Sequence, residues 1–413
     1  MNVETRCNTR TDWFQHAQAI EADVIKIRRH LHQHPELSFQ EKHTASYIYQ
    51  QLRSYGITDI RRQVGNGYGL VAKVHGQAEG PVIALRADMD GLPITERTEV
   101  EFKSIHSGVM HACGHDAHTA MLLGVARIMN SLRSEFSGSI VFIFQNAEES
   151  QPGGAKSMIE AGAIEGVDMI YGLHVAPEQP VGNVGYSLNY GSAASDTFEI
   201  KIQGRGGHGA KPHQSLDSVV IASEIITNLQ TIISRYVDPM SPAVLSFAGV
   251  NAGGGAANNI IADQATIVGT VRTFSEEVRQ LIKKKFHQMI EAIVAMNDST
   301  AEIFYRDGYP ALLNTTSVVE ETIEQLQLAQ RFQQLVEIGP MTGAAMIGED
   351  FAYYLKQVPG AFLNLGIKSL GKEASYPLHH PKFELDEAAL LKGIEVYLVI
   401  LMHQLAEPLS DLN

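Results

Sequence analysis

The sequence predicts an α/β fold, in which a mixed central sheet flanked by helices forms one domain and a smaller α+β domain is inserted into it. Short, continuously apolar runs alternate with helical patterns in the first half of the chain, which is typical of buried strands in a parallel or mixed sheet. Near Tyr190 these runs give way to alternating apolar and polar residues, and they return after Asn314. With 413 residues, of which 44% are hydrophobic, the chain is long enough for two cores. We therefore expect an inserted domain at 189–311, between the two parts of the main domain at 1–188 and 312–413.

Two helices are predicted before the first central strand. Apolar residues at helical spacing predict the first helix over 13–31, with Thr11-Asp12 as its N-cap and Pro35 just beyond its end. A second helix is predicted over 40–55, because Gly56 supplies a common C-terminal cap. Three apolar runs then predict buried central strands, with helices between them; the strands are at 82–85, 140–144 and 169–173, and the helices at 116–132 and 155–160.

Polar side chains stand where each of these three predicted strands stops. Asp88 follows the first strand, Glu148-Glu149 follows the second, and His174 ends the third. Open α/β sheets bind their ligands in the crevice beyond the carboxyl ends of the strands. We therefore expect these side chains to converge with the loop at Cys113–His115.

The inserted domain has a β-α-β-β-α-β order, which predicts a small antiparallel sheet with helices on one face. Its strands are predicted at 197–202, 243–248, 265–273 and 301–305, and its helices at 216–234 and 276–296. After it, the main domain is expected to resume with a strand at 362–365 and a final helix at 387–406.

A cluster of polar side chains at 110–119 is the strongest indication of chemistry. Only Gly114 separates Cys113 from His115, so a loop can turn both toward one ion, and thiolate and imidazole are good ligands for zinc-like metals. The alternative is a polar helix start, with Asp116 as a capping anion and Cys113 as a small buried residue. The cluster alone leaves both interpretations open, because it lacks a four-ligand spacing.

Glu148 and Glu149 favour a functional role, since adjacent carboxylates repel each other unless a positive charge compensates or the loop is solvated. One could bind a metal while the other acts as general base toward water. Taken alone, His174 and His379 would each more often be structural histidines than metal ligands. Their positions at a strand end and in a loop favour a role as ligands. With the Cys113–His115 loop, these residues provide enough ligands for two ions.

The run Gly204–Gly209 matches the G-x-G-x-x-G pattern of dinucleotide-binding proteins, but its context does not. Pro212-His213 separates the glycines from the next helix, and a helix follows where a second strand should carry the ribose-binding acid. We expect a tight turn that presents His208.

The composition excludes some classes of partner. A net charge of −14 argues against binding to nucleic acid or to an anionic membrane surface. The N-terminus has no apolar signal core and no apolar run is long enough to span a membrane, so we expect a cytoplasmic protein. Two cysteines, with Cys7 in an expected frayed N-terminus, fit a reducing compartment rather than a disulfide framework.

Six motifs together resemble the metal-dependent amidohydrolases that include bacterial hippurate hydrolases, N-acyl-L-amino-acid amidohydrolases and plant auxin-conjugate hydrolases. The resemblance extends from Arg29–Leu37 to the last helix, and its motifs are Arg86–Asp90, His111–Asp116, Asn146–Glu149, Gly206–Ala210, Gly348–Phe351 and His379–Phe383.

The resemblance implies an aminopeptidase-like catalytic domain that holds two divalent metal ions, with an inserted lid domain that often mediates dimerisation. It implies Glu148 as the base and Asp88 as a carboxylate that orients the ligands, and it implies a homodimer in which His208 reaches the partner's site. The metal ligands that it implies are Cys113, His115, Glu149, His174 and His379.

One departure from the wider carboxypeptidase-like superfamily bears on the metal site. Its His-x-Asp strand end is Arg86-Ala87-Asp88 here, so one usual ligand is replaced. A thiolate ligand suits zinc, cobalt or nickel, and manganese stays possible if oxygen and nitrogen ligands dominate.

The expected reaction is hydrolysis of the amide bond of a small N-acyl-L-amino acid, with Glu148 taking a proton from water and giving it to the leaving amine. From charge and loop position, Arg272 and Asn259 are candidates to hold the product carboxylate. Two alternatives stay open: a dipeptidase or carboxypeptidase on the same site, and a non-catalytic binding module that keeps a degenerate site. The presence of Glu148 with all five candidate ligands favours an enzyme.

Overall fold

The computed structural model describes residues 3–253, 257–333, 337–341, 346–369, 371 and 375–405. The chain divides into two compact units. The first comprises Met1–Gly191, Leu313–Gly343 and Asp350–Asn413, and the second comprises Ser192–Leu312 and Ala344–Glu349. Within the described residues, no helix is both long and apolar enough to cross a membrane.

The elements are numbered in chain order. The helices are α1 (Val3–Gln33), α2 (Lys42–Ser54), α3 (His115–Ser131), α4 (Ala155–Glu160), α5 (Ser218–Thr231), α6 (Glu276–Met296), α7 (Thr316–Gln333), α8 (Ala352–Leu355) and α9 (Ala388–Gln404). The strands are β1 (Asp59–Val64), β2 (Gly69–His75), β3 (Val82–Asp88), β4 (Ser139–Gln145), β5 (Met169–Pro180), β6 (Val184–Tyr186), β7 (Tyr190–Ser192), β8 (Ala194–Gln203), β9 (Gly207–His208), β10 (Ala243–Ala252), β11 (Ile260–Ile261), β12 (Gln264–Thr273), β13 (Thr300–Arg306), β14 (Leu312–Leu313), β15 (Ile338–Pro340) and β16 (Gly360–Lys368).

The first unit is built on a mixed eight-stranded sheet in the order β1-β2-β4-β3-β5-β16-β6-β15. Strand β3 is parallel to β4 and β5, and β16 is parallel to β5, whereas β1–β2 and β2–β4 are antiparallel pairs. Every residue of β4 is buried, which explains its continuous apolar run because a central strand is covered on both faces. Helices α1, α3 and α9 pack against one another in the same core. The predicted mixed central sheet flanked by helices is confirmed.

The first helix differs from its prediction at one end. It ends at Gln33, before Pro35 as predicted, but it begins at Val3, so Thr11-Asp12 lies inside it and the predicted N-cap was wrong. The apolar spacing marks the part of the helix that packs on the core from Trp13 onward. The backbone at Cys7 is helical, which contradicts the expected frayed terminus, and its side chain lies outside the described residues.

Strand β5 is longer than predicted. His174 was expected to end it, but the strand continues to Pro180, and His174 lies opposite Asn364 of β16 in the ladder. A polar side chain does not stop a strand whose backbone groups remain paired. The longest of the elements that were not predicted are β1, whose residues are largely exposed, β2, and helix α7.

The second unit contains a four-stranded antiparallel sheet in the order β10-β12-β8-β13. Inward residues of β8, such as Phe198, Ile200 and Ile202, pack with the apolar faces of α5 and α6. The element order is the predicted β-α-β-β-α-β. The glycine run leads into β9, and a 3₁₀ turn at Pro212–Gln214 separates it from α5, as the argument against a dinucleotide site required.

Candidate active site

Six side chains predicted from the sequence meet in the first unit. Three overlapping groups each have candidate ligand atoms within 4.8 Å of one another. They are Cys113 with His115 and His174, Cys113 with Glu149 and His379, and His115 with Glu148 and Glu149. The overlaps make one continuous cluster beside the carboxyl ends of β3 and β4.

Gly114 allows Cys113 and His115 to serve the same cluster. Its φ of 88° lies in the left-handed region, and a Cβ there would come 2.4 Å from a methyl carbon of Val175. Helix α3 begins immediately afterwards at His115, whose side chain is completely buried. The loop that carries His379 is fastened to the same place, because its main-chain N–H donates to the carbonyl of Ala112 at 2.8 Å.

The cluster holds buried polar atoms that the protein itself leaves unsatisfied. Among the described residues, His115 Nε2 and Glu149 Oε1 find no hydrogen-bond partner, although they lie only 3.9 Å apart. His379 Nε2 lies 3.3 Å from the same Glu149 oxygen, and Cys113 Sγ lies 3.5 Å from His174 Nε2. Burying such atoms without partners is costly, and a cation between them would satisfy them. Thiolate, imidazole and carboxylate are the ligand types that zinc-like ions prefer.

Hydrogen bonds behind the cluster orient the two buried imidazoles. The Nδ1 atom of His115 contacts the main-chain oxygen of Asp90 at 3.0 Å and its carboxylate at 3.1 Å. His174 Nδ1 donates to the main-chain oxygen of Val175 at 2.8 Å. In both histidines this leaves Nε2 directed to the cluster, which is the arrangement of metal-binding histidines whose second nitrogen is held by an oxygen.

Negative charge dominates the cluster and shifts the pKa values of His115 and Cys113. Burial alone would lower the pKa of His115, but the charges of Asp88 and Asp90 raise it to about 10. Burial raises the pKa of the Cys113 thiol well above its usual range, and the charges of Glu149 and Glu148 raise it further. A bound cation would reverse both effects, since it favours thiolate and neutral imidazole.

Both carboxylate oxygens of Asp88 accept hydrogen bonds. Its Oδ2 atom accepts from Arg86 Nη1 at 2.6 Å, and its Oδ1 atom accepts from His118 Nδ1 at 2.6 Å. The Nε2 atom of His118 accepts from Val175 N at 3.0 Å, so the ring proton must lie on Nδ1. Burial would raise the pKa of Asp88, but the charges of His115, Arg86 and His118 hold it well below its usual range. Asp88 is therefore a fixed carboxylate.

Arg86 fills the strand position where the wider superfamily has a histidine. Besides Asp88, its guanidinium donates to Gln145 at 2.9 Å and to Asp350 at 2.8 Å. The Gln145 amide donates to both Asp350 oxygens. The arginine thus fixes the ends of β3 and β4 through a buried network and cannot itself bind a cation.

Three further residues of the site, His118, Asp90 and Asp350, have no role predicted from the sequence. His118 could have been found, because it lies one helical turn after His115 on the same face of α3. Asp90 and Asp350 act through partners distant in sequence, which no local pattern reveals.

The three predicted residues of the inserted domain lie in the second unit. His208 is exposed in β9, and its Nδ1 atom accepts from Ala210 N at 3.0 Å. Asn259 is exposed, and its main-chain oxygen accepts from Gly209 N at 2.7 Å. Arg272 is half-buried in β12, where its Nη1 donates to Thr270 Oγ1 at 2.5 Å. Their roles toward substrate stay predictions.

Comparison with known proteins identifies the family. The model of peptidase family M20/M25/M40 matches residues 84–403, which is most of the chain. The chain belongs to this family. It is therefore a hydrolase, and the family resemblance predicted from its motifs is confirmed.

Similar proteins have related activities. The chain is 41% identical to N-acetyl-L-cysteine deacetylase of Bacillus subtilis over 91% of this chain and 86% of that protein. It is 45% identical to an N-acyl-L-amino acid amidohydrolase of Geobacillus stearothermophilus over 71% and 79% of the two chains. It is 38% identical to thermostable carboxypeptidase 1 of Saccharolobus solfataricus over 91% and 93%.

A solved structure supports the fold of this M20 protein. A Bacillus subtilis protein described as a dinuclear metal-binding peptidase of the M20 family superposes with a TM-score of 0.77 at 36% identity. The match covers 94% of this chain and all of the other.

Proposed function

We propose that this M20 protein hydrolyses the amide bond of small N-acyl-L-amino acids, releasing a carboxylic acid and a free amino acid. The observation that carries the proposal is the convergence of a thiol, three imidazoles and two adjacent carboxylates with unsatisfied buried atoms at their centre. The relatives named as a deacetylase of N-acetyl-L-cysteine and an N-acyl-L-amino acid amidohydrolase support the substrate class.

Five residues would hold two divalent ions: Cys113, His115, Glu149, His174 and His379. The unsatisfied His115 Nε2 and Glu149 Oε1 atoms fit this assignment, as does the dinuclear site of the similar Bacillus subtilis peptidase. When bound, such ions polarise an amide carbonyl and make water more acidic. The thiolate and imidazole ligands favour zinc, cobalt or nickel, with manganese as the harder alternative.

Glu148 would be the general base. Glu149 belongs to two of the groups described above, with Cys113 and His379 in one and with His115 in the other, and is the better ligand. Glu148 is buried next to it and, of these two groups, belongs only to the one with His115. Its carboxylate would take a proton from the attacking water and then deliver it to the nitrogen of the leaving amino acid. Asp88, fixed by Arg86 and His118, would keep the negative field at the cluster constant during this transfer.

Residues of the second unit would complete the substrate site in a homodimer. We assign His208 of the partner subunit to the oxyanion that develops on the amide carbonyl. Its exposed position in a short strand bounded by glycines suits a residue that acts on another chain. Arg272 and Asn259 would bind the substrate carboxylate, for which guanidinium and amide groups are suitable donors.

The alternative is a carboxypeptidase or dipeptidase on the same site, which is favoured by the similarity to thermostable carboxypeptidase 1. A substrate panel separates the two. The metal-loaded enzyme is assayed with N-acetyl, N-benzoyl and N-indoleacetyl amino acids and with dipeptides of the same residues. We expect kcat/KM to be at least about 10-fold higher for acyl amino acids than for dipeptides, since a pocket for the acyl group leaves a free α-amino group poorly satisfied. The reverse order would establish the peptidase, and no turnover of any substrate would refute both.

A further inference from the structure

The connection between α1 and α2, residues 34–41, reaches the turn that carries the two glutamates. Ser38 Oγ donates to Asp90 Oδ2 at 2.7 Å, and the same Asp90 oxygen accepts from the main-chain N–H of Glu149 at 3.0 Å. Glu41 Oε1 accepts directly from the main-chain N–H of Ala147 at 2.8 Å. Side chains of this connection thus hold the backbone on both sides of Glu148.

The Glu41 carboxyl is not needed by its own helix. It stands at the start of α2, yet among the described residues its side chain makes no hydrogen bond to the first turn. That turn is capped instead by Glu36, whose carboxylate accepts from His43 N and Thr44 N. Glu41 is completely buried, an expensive position for a carboxyl group, so its bond to Ala147 requires an explanation.

Ala147 has a backbone conformation that needs support. Its φ of 54° lies in the left-handed region, although it is not a glycine, and it is completely buried. Such a residue persists only where its surroundings hold it. The turn at Ala147 redirects the chain after β4, so that Glu148 and Glu149 both face His115.

We propose that Glu41 is a positioning residue for Glu148. By accepting the Ala147 N–H it holds the left-handed turn, and through the turn it sets the direction of the Glu148 carboxylate. The inference rests on the proposed role of Glu148 as base. Glu41 touches no reacting atom, and the main-chain N–H of Glu149 keeps its own acceptor, Asp90, without it. The loss of Glu41 therefore acts on the geometry of proton transfer and not on metal binding.

The test compares Glu41→Leu, which fills the space without an acceptor, with Glu41→Gln, which keeps an oxygen. In the metal-loaded enzyme we expect Glu41→Leu to lower kcat about 10- to 100-fold, because displacing a catalytic group by about 1 Å can cost that much. KM and metal content should stay within about twofold of wild type, and Glu41→Gln should keep more than about a third of kcat. If the leucine variant does not fold, Glu41→Ala, which also removes the acceptor of the Ala147 N–H, carries the same expectation.

Two controls separate the possible causes. Glu36→Ala removes the cap of α2 without touching the turn, so it should lower the melting temperature and leave kcat within about twofold. Equal losses of kcat in Glu36→Ala and the Glu41 variants, or wild-type kcat in Glu41→Leu while Glu148→Gln is inactive, would overturn the inference. Full activity in Glu148→Gln would instead refute the proposed base.

Discussion

Two buried polar clusters, one in each unit, differ in a way that separates a site from a structural support. In the second unit, Asp196 is almost fully buried and both its oxygens are used twice. Arg279 donates to each oxygen, at 2.5 and 3.0 Å, while Gly308 N and Tyr305 Oη complete the set at 2.9 and 3.0 Å. The buried carboxylate is thus matched by a buried guanidinium, and each of its oxygens accepts two hydrogen bonds.

In the cluster of the first unit, the charges are not matched and the hydrogen bonding is not complete. It contains four carboxylates but one arginine, Arg86. The carboxylates are those of Asp88, Asp90, Glu148 and Glu149. His115 Nε2 and Glu149 Oε1 have no hydrogen-bond partner in the part of the chain that the structure describes. Burial of polar groups therefore does not by itself indicate a site. Unmatched charge and unmatched hydrogen-bonding atoms do, because a stable fold would otherwise not retain them.

The largest expected effect concerns the two glutamates. Glu148→Gln removes the base but no proposed ligand, so kcat should fall about 10²- to 10⁴-fold while the bound metal is retained. Glu149→Gln should lose metal together with activity, because an amide is a weaker ligand than a carboxylate. Steady-state kinetics and elemental analysis of both variants provide the check. Equal metal contents in the two would show that the roles are assigned wrongly.

Substitution in the Asp196 cluster should change the free energy of unfolding but not the metal content. Asp196→Ala leaves Arg279 buried without its partner, which should cost about 3 kcal/mol in the free energy of unfolding of the second unit. The exposed pair between Lys283 and Asp307 is the matched control, and Asp307→Ala should cost less than about 1 kcal/mol. Denaturant unfolding measures both. A loss of bound metal in Asp196→Ala would contradict the distinction between the two clusters.

Cys113 offers a chemical test of the unsatisfied cluster. A thiolate bound to metal should be shielded from alkylation, and chelation should raise the rate of labelling at least about 10-fold at alkaline pH. Peptide mass spectrometry after iodoacetamide treatment locates the label and separates Cys113 from Cys7. The same labelling rate with and without chelator would mean that Cys113 is a buried structural residue.

The smallest expected effect tests whether His208 of one subunit serves the active site of the other subunit. Inactive Glu148→Ala and inactive His208→Ala chains are refolded together in equal amounts. Half of the dimers are then mixed, and each has one site with both groups intact, so about a quarter of wild-type activity should return. A site built within one chain would give no recovery at any mixing ratio.

The sequence predicted most of what is local in this fold. The apolar runs at 82–85 and 140–144 predicted β3 and β4 because strands buried on both faces need apolar side chains throughout. The polar residues after them then indicated where the cluster would form. His174 shows the limit, since it was placed correctly near the cluster from a wrong premise, that it ended its strand.

The residues that the sequence did not predict act through distant partners. Asp350 needs Arg86 and Gln145 for its role, and Glu41 needs the amide of Ala147, 106 positions away. Nothing in the local composition at Glu41 distinguishes it from an ordinary acidic residue at a helix start. Such pairings exist only once the sheet and helices are assembled, so they require the structure.

The central claim, that the unmatched cluster is a site for two metal ions, is tested most directly by metal content. The purified protein and single alanine variants at Cys113, His115, Glu149, His174 and His379 are equilibrated with zinc, dialysed and measured by elemental analysis, with Asp196→Ala as the control. We expect about two ions per chain in the wild type and in the control, and no more than about one in each of the five variants. A wild-type protein that retains no zinc, or ligand variants that retain as much as the wild type, would contradict the claim.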